Sequence, residues 1–171
     1  MGNGVRTDSG RWVHAPPPAD ACAAAAAELL SRYGAVRGVR RPPVDVVDVA
    51  GWLGYRVVLL REAPDACSAL VSTAERLIGV NALHHPRRRR FSIGHELGHI
   101  ALRHQPESRC SAAAVAALNA AADRFASALL LPEPWIGLAL ARGLPLPVIA
   151  AEFDVSEEAA RRRIATLARS R

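Results

Sequence analysis

Between residues 111 and 131, Val115, Leu118, Ala122, Phe125 and Leu129 recur at three- and four-residue steps. Such steps lay one apolar stripe along a helix. Pro132 and Pro134 mark its end, because proline breaks the helical hydrogen-bond ladder. Asn119 and Asp123 sit beside the stripe, four residues apart, and should find polar partners. Phe91, Ile93, Leu97, Ile100 and Ala101 predict a second helix, with Ser92 as its expected cap. Residues 20–33 and 44–53 predict two more helices, the second stopped by Gly54. Residues 55–60, 68–72 and 76–81 read as three short strands, with Val57 to Leu60 suited to a half-buried sheet. Two or three short helices close the chain.

Residues 1–19 carry scattered glycines and the run Pro16-Pro17-Pro18 without an apolar period, and are expected to be a disordered arm. Residues 20–168 then form one domain, as suits a chain of 171 residues. No apolar run reaches the length that spans a bilayer, and the first residues lack the order of a signal peptide. Cys22, Cys67 and Cys110 are widely spaced and read as free thiols of a reducing cytoplasm.

The net charge is +6, and every basic side chain is arginine. Arg87, Arg88, Arg89 and Arg90 precede the second helical pattern. Positive charge is unfavourable at a helix N-terminus, so the run reads as a solvated turn, with a docking patch for an acidic partner as the other reading. Arg161, Arg162 and Arg163 follow a helix-turn-helix cadence in which Ala151, Val155, Ala160 and Ile164 face inward. That cadence raises direct DNA contact as a third-ranked reading.

The sharpest chemistry lies in His95-Glu96-Leu97-Gly98-His99. On a helix, residues four apart share one face. Two imidazoles there can grip one metal ion, with zinc the usual choice for nitrogen ligands. The neighbouring carboxylate of Glu96 can reach a metal-bound water as general base. Gly98 is a poor helix residue, which implies that something packs close to it.

The segment from Arg90 to Ile100, Arg90-Phe91-Ser92-Ile93-Gly94-His95-Glu96-Leu97-Gly98-His99-Ile100, and Ala122-Asp123-Arg124-Phe125-Ala126-Ser127-Ala128-Leu129-Leu130-Leu131-Pro132 together resemble the ImmA/IrrE family of zinc metallopeptidases. Pro42-Pro43-Val44-Asp45-Val46, Ala50-Gly51-Trp52-Leu53-Gly54, Leu77-Ile78-Gly79-Val80-Asn81, Glu152-Phe153-Asp154-Val155-Ser156 and residues 159–164 fit as well. The resemblance covers roughly residues 20–168. It implies an α+β zincin-like fold, with a small three-stranded sheet packed on the active-site helix and a helical C-terminal part. It also implies a cytoplasmic, zinc-dependent endopeptidase whose relatives cut a repressor protein in a mobile-element or stress-response switch. His95 and His99 would then be metal ligands and Glu96 the catalytic base. The partner would be a protein substrate, a helix-turn-helix repressor, with no membrane, and direct nucleic-acid binding is not favoured.

The family usually places a glutamate, its third metal ligand, where this chain has Asn119, and often an acidic residue where it has Ala121. A neutral amide oxygen is a weaker zinc partner than a carboxylate. Glu107, His104 and Glu133 are other potential third ligands. Asp123 is retained, and by resemblance it accepts a hydrogen bond from a ligand histidine and fixes its tautomer. The alternative function is a regulatory binding module of the same fold with an impaired site.

Overall fold

The computed structural model describes residues 4–6, 12–14, 18–38, 41–104 and 110–169. Within the arm expected to be disordered, β1 (Gly4–Arg6) and β2 (Trp12–His14) pair antiparallel, with Val5 opposite Val13. The remainder of residues 1–17 lies outside the described residues.

The domain is α+β, as expected. Helices α1 (Ala19–Arg37) and α2 (Val46–Trp52) lead into strands β3 (Arg56–Leu60), β4 (Ala69–Ser72) and β5 (Leu77–Asn81). Helix α3 (Pro86–Ala101) follows, then α4 (Ala112–Leu130), α5 (Glu133–Ala141), α6 (Leu146–Glu152) and α7 (Glu157–Arg169). The Asp45 side chain accepts from Val47 N and Asp48 N and so caps α2. Gly54, at φ +83°, turns the chain out of α2 into the sheet, a conformation that glycine adopts without steric cost.

The sheet order is β3-β5-β4, with β3 parallel and β4 antiparallel to β5. β4 is therefore an edge strand. Asn81, fully buried, holds the approach to β4: its amide donates to Pro64 O and Cys67 O, and its oxygen accepts from Leu83 N.

The active-site helix starts earlier than the sequence predicts. Pro86 occupies its first turn and the His85 ring accepts from Arg87 N. Proline fits there because its missing N–H has no partner to lose. Ser92 is not a cap; it lies inside the helix, buried. Nor is the arginine run a solvated turn. Arg87 and Arg90 pair with Asp154 at 3.3 and 3.1 Å, and Arg90 also donates to Val44 O. The Asp154 carboxylate supplies, from the α6–α7 turn, the negative charge that a helix N-terminus favours.

Helix α4 is the core helix. Leu118, Ala122, Phe125 and Leu129 are buried as the stripe predicts, with Ala121, Ala126 and Ala128 beside them. By length and composition α4 is apolar enough to cross a bilayer, contrary to the reading of the sequence. Here it packs between α1 and α3. At the C-terminus α6 and α7 do form a helix-turn-helix, but Ala151 is exposed and Ile149 and Ala150 take the inward positions.

Candidate metal centre

The site is set by how closely α3 approaches α4. A methyl group on Gly98 would lie 3.0 Å from Ala122 Cα and 3.1 Å from its carbonyl oxygen, and one on Gly94 3.3 Å from Ala126 Cβ. Both distances are tighter than ordinary van der Waals contact. The two glycines thus lie against two alanines, and the helices meet nearly backbone to backbone. That approach is the packing that Gly98 implied, and it brings α4's polar edge to the histidines.

His95 Nδ1 lies 2.7 Å from Asp123 Oδ1. An ionised carboxylate only accepts, so the His95 Nδ1–H donates. Asn119 also hydrogen-bonds His95. Burial lowers the His95 pKa, but the Asp123 hydrogen bond and charge, with Glu96 and Asn119, outweigh it and raise it. His95 Nε2 and His99 Nε2 stand 3.0 Å apart. On its other side, His99 Nδ1 lies 3.0 Å from His104 Nδ1. Burial, then the two neighbouring histidines, push the His104 pKa down to about 4. Glu96, next to His95 in sequence, is buried with 8 % of its surface exposed.

The donor set fits a zinc ion through the two Nε2 atoms. Zinc–nitrogen bonds of 2.0–2.1 Å at a tetrahedral angle separate two ligand nitrogens by ~3.3 Å, close to the 3.0 Å found. Among the described residues no three histidine, cysteine, aspartate or glutamate side chains form a metal-holding group. The reason is directional. Asp123 faces Nδ1 of His95, and His104 faces Nδ1 of His99, so each stands behind its histidine. This leaves the Asn119 amide oxygen, beside His95, as the nearby candidate for a third donor. Glu107 lies outside the described residues. Glu133 lines an adjoining groove of about 1460 Å³ between α1, α4, α5 and α7, which shares Phe91 and Asp123 with the cleft of the histidines.

All five residues singled out in the sequence, His95, Glu96, His99, Asn119 and Asp123, line one cleft of about 830 Å³. Its opposite wall is β4 with the segment that precedes it, and Phe91 and Ile100 add apolar surface. Arg88 donates to Ser68 Oγ at 3.0 Å along the same cleft. The sequence left open whether the strand at residues 68–72 is an edge or an internal strand, and the sheet order makes it an edge. The placement of His104 escaped the sequence, because it follows from a chain reversal just beyond α3. Of the C-terminal arginines, exposed Arg161 and Arg162 both pair with Glu158, and buried Arg163 donates to Leu131 O at 3.1 Å.

Comparison with known proteins agrees with this fold. A solved "Mycobacterium tuberculosis transcriptional regulator" has the same fold, with TM-score 0.66 and 19% sequence identity. The match covers 85% of this chain and 46% of that one, so the chain spans about half the length of that regulator. No match was found among curated proteins. The profile of the IrrE N-terminal-like domain (Peptidase_M78) matches residues 53–165, a span that contains the three-stranded sheet, both walls of the cleft and every site residue. A metallopeptidase-type or regulatory role follows at that level: the chain belongs to the IrrE N-terminal-like peptidase family.

Proposed function

We propose that the chain is a zinc-dependent endopeptidase of the cytoplasm that cleaves a protein substrate, a helix-turn-helix repressor of a stress-response or mobile-element switch. One observation carries the enzymatic part. The Nε2 atoms of His95 and His99 converge to 3.0 Å beside buried Glu96, in a cleft walled by an open strand edge.

His95, His99 and Asn119 would hold the ion. When bound, zinc supplies Lewis-acid polarisation of the scissile carbonyl and lowers the pKa of the attacking water from about 15.7 toward 7. The remaining work belongs to the chain. Glu96 takes the water's proton and delivers it to the departing amine. Asp123, through its 2.7 Å hydrogen bond, keeps the His95 proton on Nδ1 and its Nε2 free. The substrate segment lies extended along β4.

The register shows which β4 groups are available for that pairing. Asn81 N donates to Ser68 O, so Ser68–Asn81 is a hydrogen-bonded pair, and alternation makes Leu70–Gly79 the next. The N–H and C=O of Ala69 and Val71 therefore point to the open edge, where an extended peptide adds as a further strand.

The test is metal analysis of protein purified without chelator, beside a cleavage assay of a helix-turn-helix repressor encoded next to this chain. The expected result is one zinc per chain. Glu96→Gln retains that zinc and loses cleavage by about 10²–10⁴-fold, the weight of a general acid–base group. Folded protein that neither retains nor takes up zinc overturns the proposal.

A second reading rests on Asn119 and Ala121. Asn119 gives the site a neutral third donor, and Ala121 is wholly buried with no polar group to offer. In that reading the domain binds its partner without cutting it. Partner binding undiminished in Glu96→Gln, with no cleavage by the unsubstituted chain, would favour it.

A further inference from the structure

Asp123, His95, His99 and His104 form one continuous line of contacts, at 2.7, 3.0 and 3.0 Å. Each neutral imidazole carries one N–H and one lone pair, so the line has a direction. Asp123 only accepts, which fixes the His95 proton on Nδ1 and leaves its Nε2 as a lone pair. A second lone pair at the same point requires the His99 proton on Nδ1 as well. The atom facing His99 Nδ1 is His104 Nδ1.

We propose that His104 is a positioning residue for His99: its Nδ1 accepts the His99 Nδ1–H and keeps the His99 Nε2 lone pair turned toward that of His95. The proposal rests on the zinc reading and deepens it. The two metal-facing histidines are then held by different means, His95 by a carboxylate and His99 by a second imidazole.

Two observations support the assignment. First, the backbone places His104 for this task. Helix α3 ends at Ala101, Arg103 takes φ +54°, and the His104 N–H donates to His99 O at 3.0 Å. Backbone and side chain of one residue both attach to His99. Second, His104 Nε2 is buried with no hydrogen-bond partner among the described residues. His104 Nδ1, which faces His99, is then the ring nitrogen through which His104 makes its described side-chain contact.

The test compares His104→Asn, His104→Gln and His104→Phe in the full chain. Zinc affinity is read by competition with a chromophoric chelator. The asparagine amide can place an acceptor near the Nδ1 position, the glutamine amide near the Nε2 position, and phenylalanine offers none. Phe and Gln are expected to weaken zinc binding by about 10–100-fold, as loss of an outer partner of a ligand histidine does, and Asn by only about three-fold. Nitrogen-15 NMR of the zinc-loaded chain should show the His99 proton on Nδ1.

Equal losses for Asn and Phe overturn the proposal. So does rescue by Gln alone, which would make His104 a ligand through Nε2, and so does a His99 proton found on Nε2. Should the Phe variant fail to fold, the Asn-against-Gln comparison decides. Should the unsubstituted chain bind no zinc, the zinc reading itself falls, and nitrogen-15 NMR of the metal-free chain shows separately whether His104 accepts from His99 or donates to it.

Discussion

The α3–α4 wall of the cleft and its β4 wall differ in what each leaves free. On the first, Gly94 and Gly98 lie against Ala122 and Ala126 so closely that no methyl group fits without movement. The polar edge of that wall is occupied in turn: Asp123 and Asn119 both bond His95. On the second, a four-residue strand pairs on one side only and turns the N–H and C=O of Ala69 and Val71 outward. The first wall has no slack along its glycine–alanine seam; the second has an edge that no strand pairs with among the described residues. This division suits a site that must hold its reacting groups still while admitting a chain of varied sequence.

Substitutions at the tight seam should have the largest effect. Gly98→Ala pushes a methyl group to 3.0 Å from Ala122 Cα, and backbone cannot rotate aside as a side chain can. Overpacking of this kind costs about 1–3 kcal/mol. Thermal denaturation and zinc competition should fall together, because the displaced α4 carries Asp123. Gly51→Ala is the control: its methyl meets nothing within 4 Å, and the helix should gain about 0.5–1 kcal/mol. Equal outcomes at the two glycines would deny that the seam sets the site.

The open wall is tested by proline. Val71→Pro removes an N–H aimed at the edge and should lower cleavage about ten-fold or more, the worth of one to two hydrogen bonds, with zinc content unchanged. Leu70→Pro strikes the bond to β5 instead and should destabilise the sheet. Cleavage that survives Val71→Pro would place the substrate elsewhere.

Asn119→Glu sharpens the comparison from the rigid side. A carboxylate in place of the amide should tighten zinc by about ten-fold, one charge-assisted interaction of ~1.4 kcal/mol. Affinity that stays level or falls in the competition assay would remove Asn119 from the third position.

The smallest effect is expected far from both walls. Arg161→Gln with Arg162→Gln breaks only exposed pairs to Glu158. Stability should change by no more than about 0.5 kcal/mol, and zinc binding should not change. A loss of cleavage there would implicate α7 in recognising the partner.

Much of this arrangement was legible in the sequence because it is local. The His95–His99 spacing, the α4 stripe and the three strands each repeat at the period of their own element. What escaped depends on distant partners. The early start of α3 defied the charge rule because Asp154, sixty-seven positions from Arg87, neutralises the arginines. The three-arginine run suggested DNA, yet Arg163 is consumed by the carbonyl of Leu131. Burial lowers its guanidinium pKa, against the opposing pull of Glu133. His104 was one of three proposed ligands, and only the reversal at Arg103 shows that it faces the wrong nitrogen of His99 for that role.

The glycine–alanine seam also determines where the chain tolerates a change of length. One residue inserted into α3 between Gly94 and Gly98, or into α4 between Asn119 and Ala126, turns everything beyond it by about 100°. Such an insertion would swing Asp123 or His99 off the shared face. The connection between α3 and α4 joins two helices whose register is already set by contact, and doubling a loop's length costs only about 0.6 kcal/mol. Beyond His104, which must keep its place against His99, that connection is where added residues should do least harm to the site.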